Sequence, residues 1–594
     1  MDEYSIQLRL LATTDLHMHL RAWDYAKDQP FKSGALTRIA TQIAAARAEA
    51  IEEGAHVLLF DNGDGLQGTA VGDLASEAAE QGEPHPLMTA FEQLEYDALG
   101  LGNHDFDRGT ALLAQVTRQA HCPVLCANLR RNDPELLEHI QPGTILAAGP
   151  LRVGVLSVVP PQTAMWNADV LAGEITFADI TETVETAAAQ LRQDGCHIVL
   201  LLAHTGIGEA EHLPGQENAV LPLSRLPSVT AIFAGHTHLP FSGVLPDAGG
   251  TPVALAGAGG AQLAQIDLTL SGDPAGVWQV NKATPSLRRT DGATCTEDPT
   301  LSDLFAPWHT TAREIMNRPS GHTDERLHSY FSMIRPDAHL RQIAEAKRAC
   351  FAILCPDAPD LPVIAAVAPG KCGGRGGSGN YVDVPKGPVL RRHLDDLVVF
   401  PNLLRTVELD GRDLRAWMEM SASVFHRIVP CGQNQPLLDV DWPPHSFDAF
   451  FGLNYQIDVS QPARYRPDGS RVETDGQRIR DLSWQGAPVR DDQKFIVLLT
   501  SYRASGGGNV QALANAQPLP LPDAPVREAV ERQLTQPGPA AYQEFPWRFA
   551  DLGSTPALFP TGPGATEVMS EIRDLQPIIG TTDTAGFLTL TLHL

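Results

Sequence analysis

Five short segments hold the residues able to do chemistry. They are Thr13-Thr14-Asp15-Leu16-His17, Asp61-Asn62-Gly63-Asp64-Gly65-Leu66-Gln67-Gly68, Gly102-Asn103-His104-Asp105, Ala203-His204-Thr205-Gly206 and Gly235-His236-Thr237-His238. In the D-x-H and H-x-H spacings, alternate residues of an extended backbone point the same way, so both side chains can reach one site. Carboxylate, imidazole and amide donors together suit Zn, Mn, Fe or Co better than Ca. The neighbouring glycines let the chain turn tightly. A single His after a strand is more often hydrogen-bonded and inert. Five such segments in one chain favour chelation, provided that the fold brings them together.

The elements needed for that are readable. Each segment follows an aliphatic run of buried-strand character; such runs lie at 8–12, 56–60, 97–99, 123–126, 152–159, 197–203 and 230–233. Helical patterns at 34–50, 87–94, 110–119 and 179–193 fall between them, the last starting with Asp179-x-x-Glu182 in the manner of a capping box. This alternation predicts an α/β domain whose strand ends converge on one crevice. Shorter strands at 253–255, 265–270 and 277–282 close that domain. A helix over 300–315 and the break Asn317-Arg318-Pro319-Ser320-Gly321 divide the chain into 1–318 and 319–594. The second part has a helical pattern at 336–350 and short strands at 363–367, 406–409, 455–459 and 495–500. Its Gly-rich stretch 370–377 is no P-loop, because no G-K-[ST] follows at the required spacing. The tail after Gln517 is Pro-rich and reads as loop.

The 594 residues are 43% apolar and 19% charged, a globular composition, and their number allows two to four domains with ordinary cores. A formal net charge of −27 excludes a protein that coats polynucleotides, but not one with a small anionic substrate. No apolar run approaches the roughly 18 residues of a membrane span. The start, MDEYSIQLRLLATTDLH, lacks the basic and apolar regions of a leader peptide. Eight cysteines without C-x-x-C or zinc-finger spacing read as buried or idle thiols, with a Cys350–Cys355 disulfide left open.

The order D-x-H, G-D-x-x-Q-G, G-N-H-D, H, G-H-x-H resembles the calcineurin-like metallophosphoesterases, and within them the 5′-nucleotidase family. Segments 156–166 (LSVVPPQTAMW), 179–183 (DITET), 454–465 (NYQIDVSQPARY) and 502–509 (YRASGGGN) are similar to those of the bacterial 2′,3′-cyclic-nucleotide 2′-phosphodiesterase/3′-nucleotidases. The resemblance implies an N-terminal four-layer αββα metallophosphoesterase domain, a linker helix and a C-terminal α+β nucleoside-binding domain. It implies two divalent ions (Zn, Mn, Co or Fe): Asp15, His17 and His238 hold one, Asn103, His204 and His236 the other, and Asp64 bridges. A water between the ions would be the nucleophile. His104 matches the catalytic imidazole, and Asp107 would orient it, although relatives can have Asn there. Gln67 and Asp61 would stand behind the ligands.

On the substrate side, Phe400 and Tyr502 match a pair of rings that stack a base, worth roughly 1–3 kcal/mol per base. Read from the residues alone, Phe400 after Leu-Val-Val suits core packing better, and the resemblance reverses that reading. Arg375 matches an arginine that binds phosphate, with Lys371 as an assistant or a solvated bystander. Asn454 and the Gly506-Gly507-Gly508 turn would shape the pocket. The implied reaction opens 2′,3′-cyclic nucleotides and then removes the 3′-phosphate. The rivals are a 5′-nucleotidase or UDP-sugar hydrolase, and a silent interaction protein of the same fold. The expectation is a monomer acting on mononucleotides, with no polynucleotide or membrane partner; the resemblance implies a periplasmic location, and the start without a leader pattern leaves a cytoplasmic one open.

Overall fold

Along the strand Tyr4–Thr13, alternate residues enter different cores. Leu8, Leu10 and Ala12 face one apolar cluster and Leu11 another. The strand His56–Asn62 repeats the pattern, with Leu58 and Phe60 on one side and Leu59 on the other. So does Ile198–Ala203, whose even-numbered residues join the first cluster and odd-numbered ones a third. Strands buried on both faces are what parallel sheets covered by helices require.

The computed structural model describes residues 4–246, 249–272, 277–292, 295–514, 516–538, 540–542 and 545–594. They fall into two compact units, one ending at Met316 and the other starting at Asn317. In the first unit, one six-stranded sheet runs in the order Trp278–Arg289, Gln262–Gly272, Tyr4–Thr13, His56–Asn62, Ala98–Gly100, Val124–Leu125. The other runs Phe241–Val244, Pro252–Leu255, Ala231–Ala234, Ile198–Ala203, Leu151–Val158, Gly143–Ala148. The cluster containing Leu10, Phe60, Val155, Leu200 and Phe233 draws on both sheets and lies between them. Helices Leu36–Glu53, Ala70–Glu80, Pro86–Gln93 and Gly109–Thr117 cover the outer face of the first sheet. Ile180–Gln193 and Val220–Leu223 cover that of the second. The result is the four-layer αββα arrangement. In Ile180–Gln193 the periodicity is visible directly: Ile180, Val184 and Ala188 are buried, and Asp179 caps the start by accepting from Glu182 N at 3.0 Å.

The helix expected to link the two parts is Pro299–Met316. It is the last element of the first unit, where Leu301, Phe305, Ala312 and Met316 pack into the helical layer.

The second unit is built on a five-stranded sheet in the order Ala449–Phe451, Val363–Val367, Lys494–Thr500, Leu404–Asp410, Gln517–Leu519. Helices Ala338–Leu354 and Gly411–Ser421 pack on it, the latter burying Leu414, Trp417 and Met418. The chain after Gln517 is not loop throughout. It forms the helix Val526–Thr535 and the strands Trp547–Phe549, Pro556–Thr561, Ile578–Thr582 and Leu588–His593. The period-two burial of Leu588, Leu590 and Leu592 and the buried Ala557 and Phe559 explain this: apolar alternation outweighs prolines such as Pro556, which starts its strand, and Pro560, which is exposed. Cys350 and Cys355 are both free thiols. Among the described residues no helix is long and apolar enough to cross a membrane.

Candidate active site

The parallel strands Tyr4–Thr13, His56–Asn62, Ala98–Gly100, Ile198–Ala203 and Ala231–Ala234 all end just before the five segments or within their first two residues. Their loops meet. Donor atoms of Asp15, His17 and His238 lie within 4.8 Å of one another, as do those of Asp15, Asp64 and His204. His238 Nε2 is 3.4 Å from Asp15 Oδ1 and 3.1 Å from His17 Nε2. His204 Nε2 is 3.1 Å from Asp64 Oδ2 and 3.8 Å from Asp15 Oδ1. Asp64 Oδ2 also lies 3.9 Å from His17 Nε2. Asn103 Oδ1 and His236 Nδ1 are 2.8 Å apart. Both Asp15 and Asp64 therefore reach two groups of histidines, whereas the sequence reading gave the shared position to Asp64 alone.

This donor set fits divalent cations. His204 Nε2 is fully buried beside two carboxylates and yet has no hydrogen bond, the signature of a nitrogen kept for another partner. Its Nδ1 contacts Asn62 O at 2.7 Å, which turns Nε2 toward the carboxylates; their charges outweigh burial and push the ring up to about 10. His17 Nδ1 likewise contacts the carbonyl of Gln67 at 3.1 Å and its Oε1 at 3.3 Å. Burial pushes the His17 imidazole down to about 4 despite Asp64 nearby, so the ring is neutral and able to ligate. Burial alone would raise Asp15 and Asp64; His204 leads the neighbours that outweigh it and hold both below the usual carboxylate range.

The backbone at the D-x-H and H-x-H segments is left-handed at the ligand positions, not extended as their spacing suggested. Asp15, His17, Asp64, His236 and His238 have φ of 51°, 44°, 54°, 70° and 60°. Left-handed conformation outside glycine is uncommon and costs roughly 1–2 kcal/mol per residue. Five expected ligands in that region mark strain of the kind that clusters at functional sites. Behind them, Asp105 accepts from the backbone N–H of Asp64, Gly65, Leu66 and Gly102 at 2.8–3.0 Å and so ties two ligand loops together. The approach is close enough that a Cβ on Gly102 would lie 2.2 Å from Asp64 Oδ1. Asp61 accepts from Gly63 N and Thr13 Oγ1 at 3.3 Å.

His104 stands beside this cluster, its ring centroid 5.5 Å from that of His17. Asp107 Oδ2 is 2.9 Å from His104 Nδ1, and His104 N donates to Asp64 Oδ1 at 2.7 Å. Burial would lower the imidazole, but Asp107 and then Asp64 outweigh it and push it up to about 10. These two carboxylates therefore favour the protonated ring.

In the second unit, the pairing of Leu404 with Thr500 sets the loop before one strand beside the turn after its neighbour. Asn402 joins them: its Oδ1 accepts from Tyr502 N at 3.1 Å, and its own N donates to Phe400 O at 2.8 Å. Phe400 is 42% exposed, which removes core packing as its role. The Tyr502 ring rests over Gly507, where a Cβ would lie 2.5 Å from it. Arg503 anchors the turn from below, donating to Gly507 O and His445 O at 2.7 Å and pairing with buried Asp448 at 3.0 Å. His445 stands edge-on to Tyr502 with centroids 5.9 Å apart. Arg375 is exposed in the short turn Gly374–Gly376, and Gly374 lies against Pro444, next to His445. Lys371 is paired with Asp396, and Asn454 opens the strand Asn454–Ile457 opposite Ser483.

Residues not singled out beforehand also touch the first site. Glu217 Oε1 is 3.0 Å from His236 Nε2, and Trp166 is stacked on the His236 ring with centroids 5.6 Å apart. Trp166 closes the quoted LSVVPPQTAMW segment, a signal that had no role attached. Glu217 lies in mid-loop with no motif around it.

Residues 8–240 match the family model of the calcineurin-like phosphoesterases, and residues 327–515 match that of the 5′-nucleotidase C-terminal domain. The chain is 33% identical over 535 residues to the 2′,3′-cyclic-nucleotide 2′-phosphodiesterase/3′-nucleotidase of Salmonella typhimurium, covering 85% of this chain and 82% of that one. It is 30% identical over 533 residues to the protein of that description from Haemophilus influenzae, covering 84% and 80%. The solved 5′-nucleotidase precursor from Thermus thermophilus shares the fold, with a TM-score of 0.64 at 20% identity over 92% of this chain and 99% of that one.

Proposed function

The chain belongs to the 2′,3′-cyclic-nucleotide 2′-phosphodiesterase/3′-nucleotidase family, with a calcineurin-like phosphoesterase domain followed by a 5′-nucleotidase C-terminal domain, and from that premise we propose that it converts 2′,3′-cyclic nucleotides into nucleosides and phosphate in two hydrolytic steps. The first adds water across the P–O2′ bond and leaves a 3′-monoester. The second adds water across the P–O3′ bond and releases the nucleoside. The observation that carries this reading is the convergence of the carboxylates and imidazoles around orphaned His204 Nε2, with the His104–Asp107 pair alongside.

Asp15, His17 and His238 would hold one divalent ion and Asn103, His204 and His236 a second, with Asp64 reaching both. When bound, such ions activate water and clamp phosphoryl oxygens. His104 supplies a charged N–H to the phosphoryl group or the departing ribose oxygen, and Asp107 keeps it charged and aimed. Phe400 and Tyr502 sandwich the base, tolerating its identity because every base has a flat face. Arg375 contributes a bidentate contact to phosphate oxygens. Zn, Mn, Co and Fe all suit the donor set. The family resemblance supports a periplasmic location.

The test is phosphate release from nucleotides by the purified protein supplied with Mn2+. Release from 3′-AMP and, through it, from 2′,3′-cyclic AMP should be abolished by EDTA, and 5′-AMP should be a poor substrate. Asp64→Asn should lower kcat for both esters by about two orders of magnitude or more. Preference for 5′-AMP would overturn the choice of ester, and a metal-replete protein inert toward all three would overturn the enzymatic reading.

A further inference from the structure

We propose that Glu217 is a positioning residue that selects the nitrogen through which His236 serves the second ion; this rests on the two-ion reading above. Three of the four expected ligand imidazoles, His17, His204 and His236, are not oriented alike. His17 and His204 each turn Nδ1 to a protein oxygen, of Gln67 and Asn62, and present Nε2 to the centre. His236 is reversed: its Nδ1 faces Asn103 Oδ1 at 2.8 Å, and its Nε2 faces Glu217 Oε1 at 3.0 Å.

A carboxylate only accepts hydrogen bonds, so the one proton that a ligating His236 ring keeps belongs on Nε2. The Nδ1 lone pair then confronts the carbonyl oxygen of Asn103. Two acceptors that close repel each other unless a cation lies between or beside them. A ring N–H held by a carboxylate is also the arrangement that fixes the tautomer of a ligating histidine and raises its basicity. Trp166 fixes the ring plane, with only 17° between the two rings, and Asn167 Nδ2 donates to Asn103 O at 3.1 Å. Both expected ligands are thus held from outside the centre.

Glu217 arrives there through the loop that leaves His204. Thr205 Oγ1 donates to Glu217 O at 2.5 Å and accepts from Ala219 N at 3.0 Å. Gly206 N donates to Asn218 Oδ1 at 3.1 Å, and Val220 N to Gly206 O at 3.0 Å. The loop closes on its own base, one residue beyond a ligand, and that closure delivers the carboxylate to another ligand. His204 and His236, both assigned to the second ion, are therefore set by one loop.

The full-length protein, stripped of metal, is titrated with Mn2+ by calorimetry and followed by electron paramagnetic resonance. Wild type should take up two ions and show a spin-coupled signal. In Glu217→Ala, one ion should bind as in wild type, the other about 10–100-fold more weakly, and the coupled signal should be lost at two equivalents of Mn2+. Glu217→Gln keeps an acceptor oxygen and should recover most of the second affinity. The Glu217 side chain is 41% exposed, so truncation leaves no cavity, and the metal-free melting temperatures should agree. Wild-type affinity for both ions in Glu217→Ala overturns the proposal, as does equal weakening of both, or a Gln variant as weak as the Ala one. A wild-type protein that binds a single ion overturns the two-ion reading and this inference together.

Discussion

Asp107 lies 2.9 Å from His104 Nδ1, and its charge is the leading influence that outweighs burial and lifts that imidazole to about 10. A group that works in its protonated form is active below its pKa and fails as pH rises through it. Asp107→Asn should therefore move the alkaline limb of the kcat/KM profile downward by at least about one pH unit, with metal content unchanged. An alkaline limb that stays in place would leave Asp107 without that role. The His, Asp and Asn residues of the centre were legible because each sits one to four positions past a buried strand. Glu217 and His445 were not, because they reach their partners through loop closure and packing. For Phe400 the residues alone misled, since a Phe after Leu-Val-Val reads as core; its exposure settles against the core.

The helix Ala338–Leu354 begins at Asp337, whose carboxylate accepts from Leu340 N at 2.9 Å and from Ser332 Oγ. Burial pushes this carboxyl up to about 6, whereas an unfolded Asp titrates near 3.9. The folded chain thus binds the proton more tightly. The contribution to stability is full below about pH 4 and is lost as pH rises through 6. Asp337→Asn keeps the cap acceptor and removes the titration. Urea unfolding of the full chain should then vary less with pH between about 4 and 7, with a gain of up to about 3 kcal/mol at the upper end. An unaltered pH slope would show that Asp337 does not govern it. At this scale the α/β first unit was legible from strand–helix alternation. The end of the chain was not: prolines at 518, 520, 522 and 525 read as loop, while the alternation in Leu588–His593 that decides its fate comes far downstream.

Across the whole molecule, the formal charge of −27 stands against a reaction on phosphate esters. Asp15 and Asp64 resolve part of that conflict, because they are buried and do not face solvent. The remaining surface charge still repels an anionic substrate from a distance. Raising ionic strength from about 20 to 200 mM shortens the screening length and relieves that repulsion, so kcat/KM for 3′-AMP should hold steady or rise. A steep fall would mean that a cationic funnel steers the substrate.

The left-handed backbone at Asp15, His17, Asp64, His236 and His238 has a consequence for laboratory evolution. Selection for thermal stability in the presence of chelator would not preserve these side chains and would favour glycine or asparagine, which accept that conformation most readily. Variants that melt higher without metal would emerge with the centre dismantled, a direct trade of chemistry for ruggedness. Alanine, the customary probe, meets the same backbone without that ease, so a scan of this site by alanine would measure conformation and ligation together.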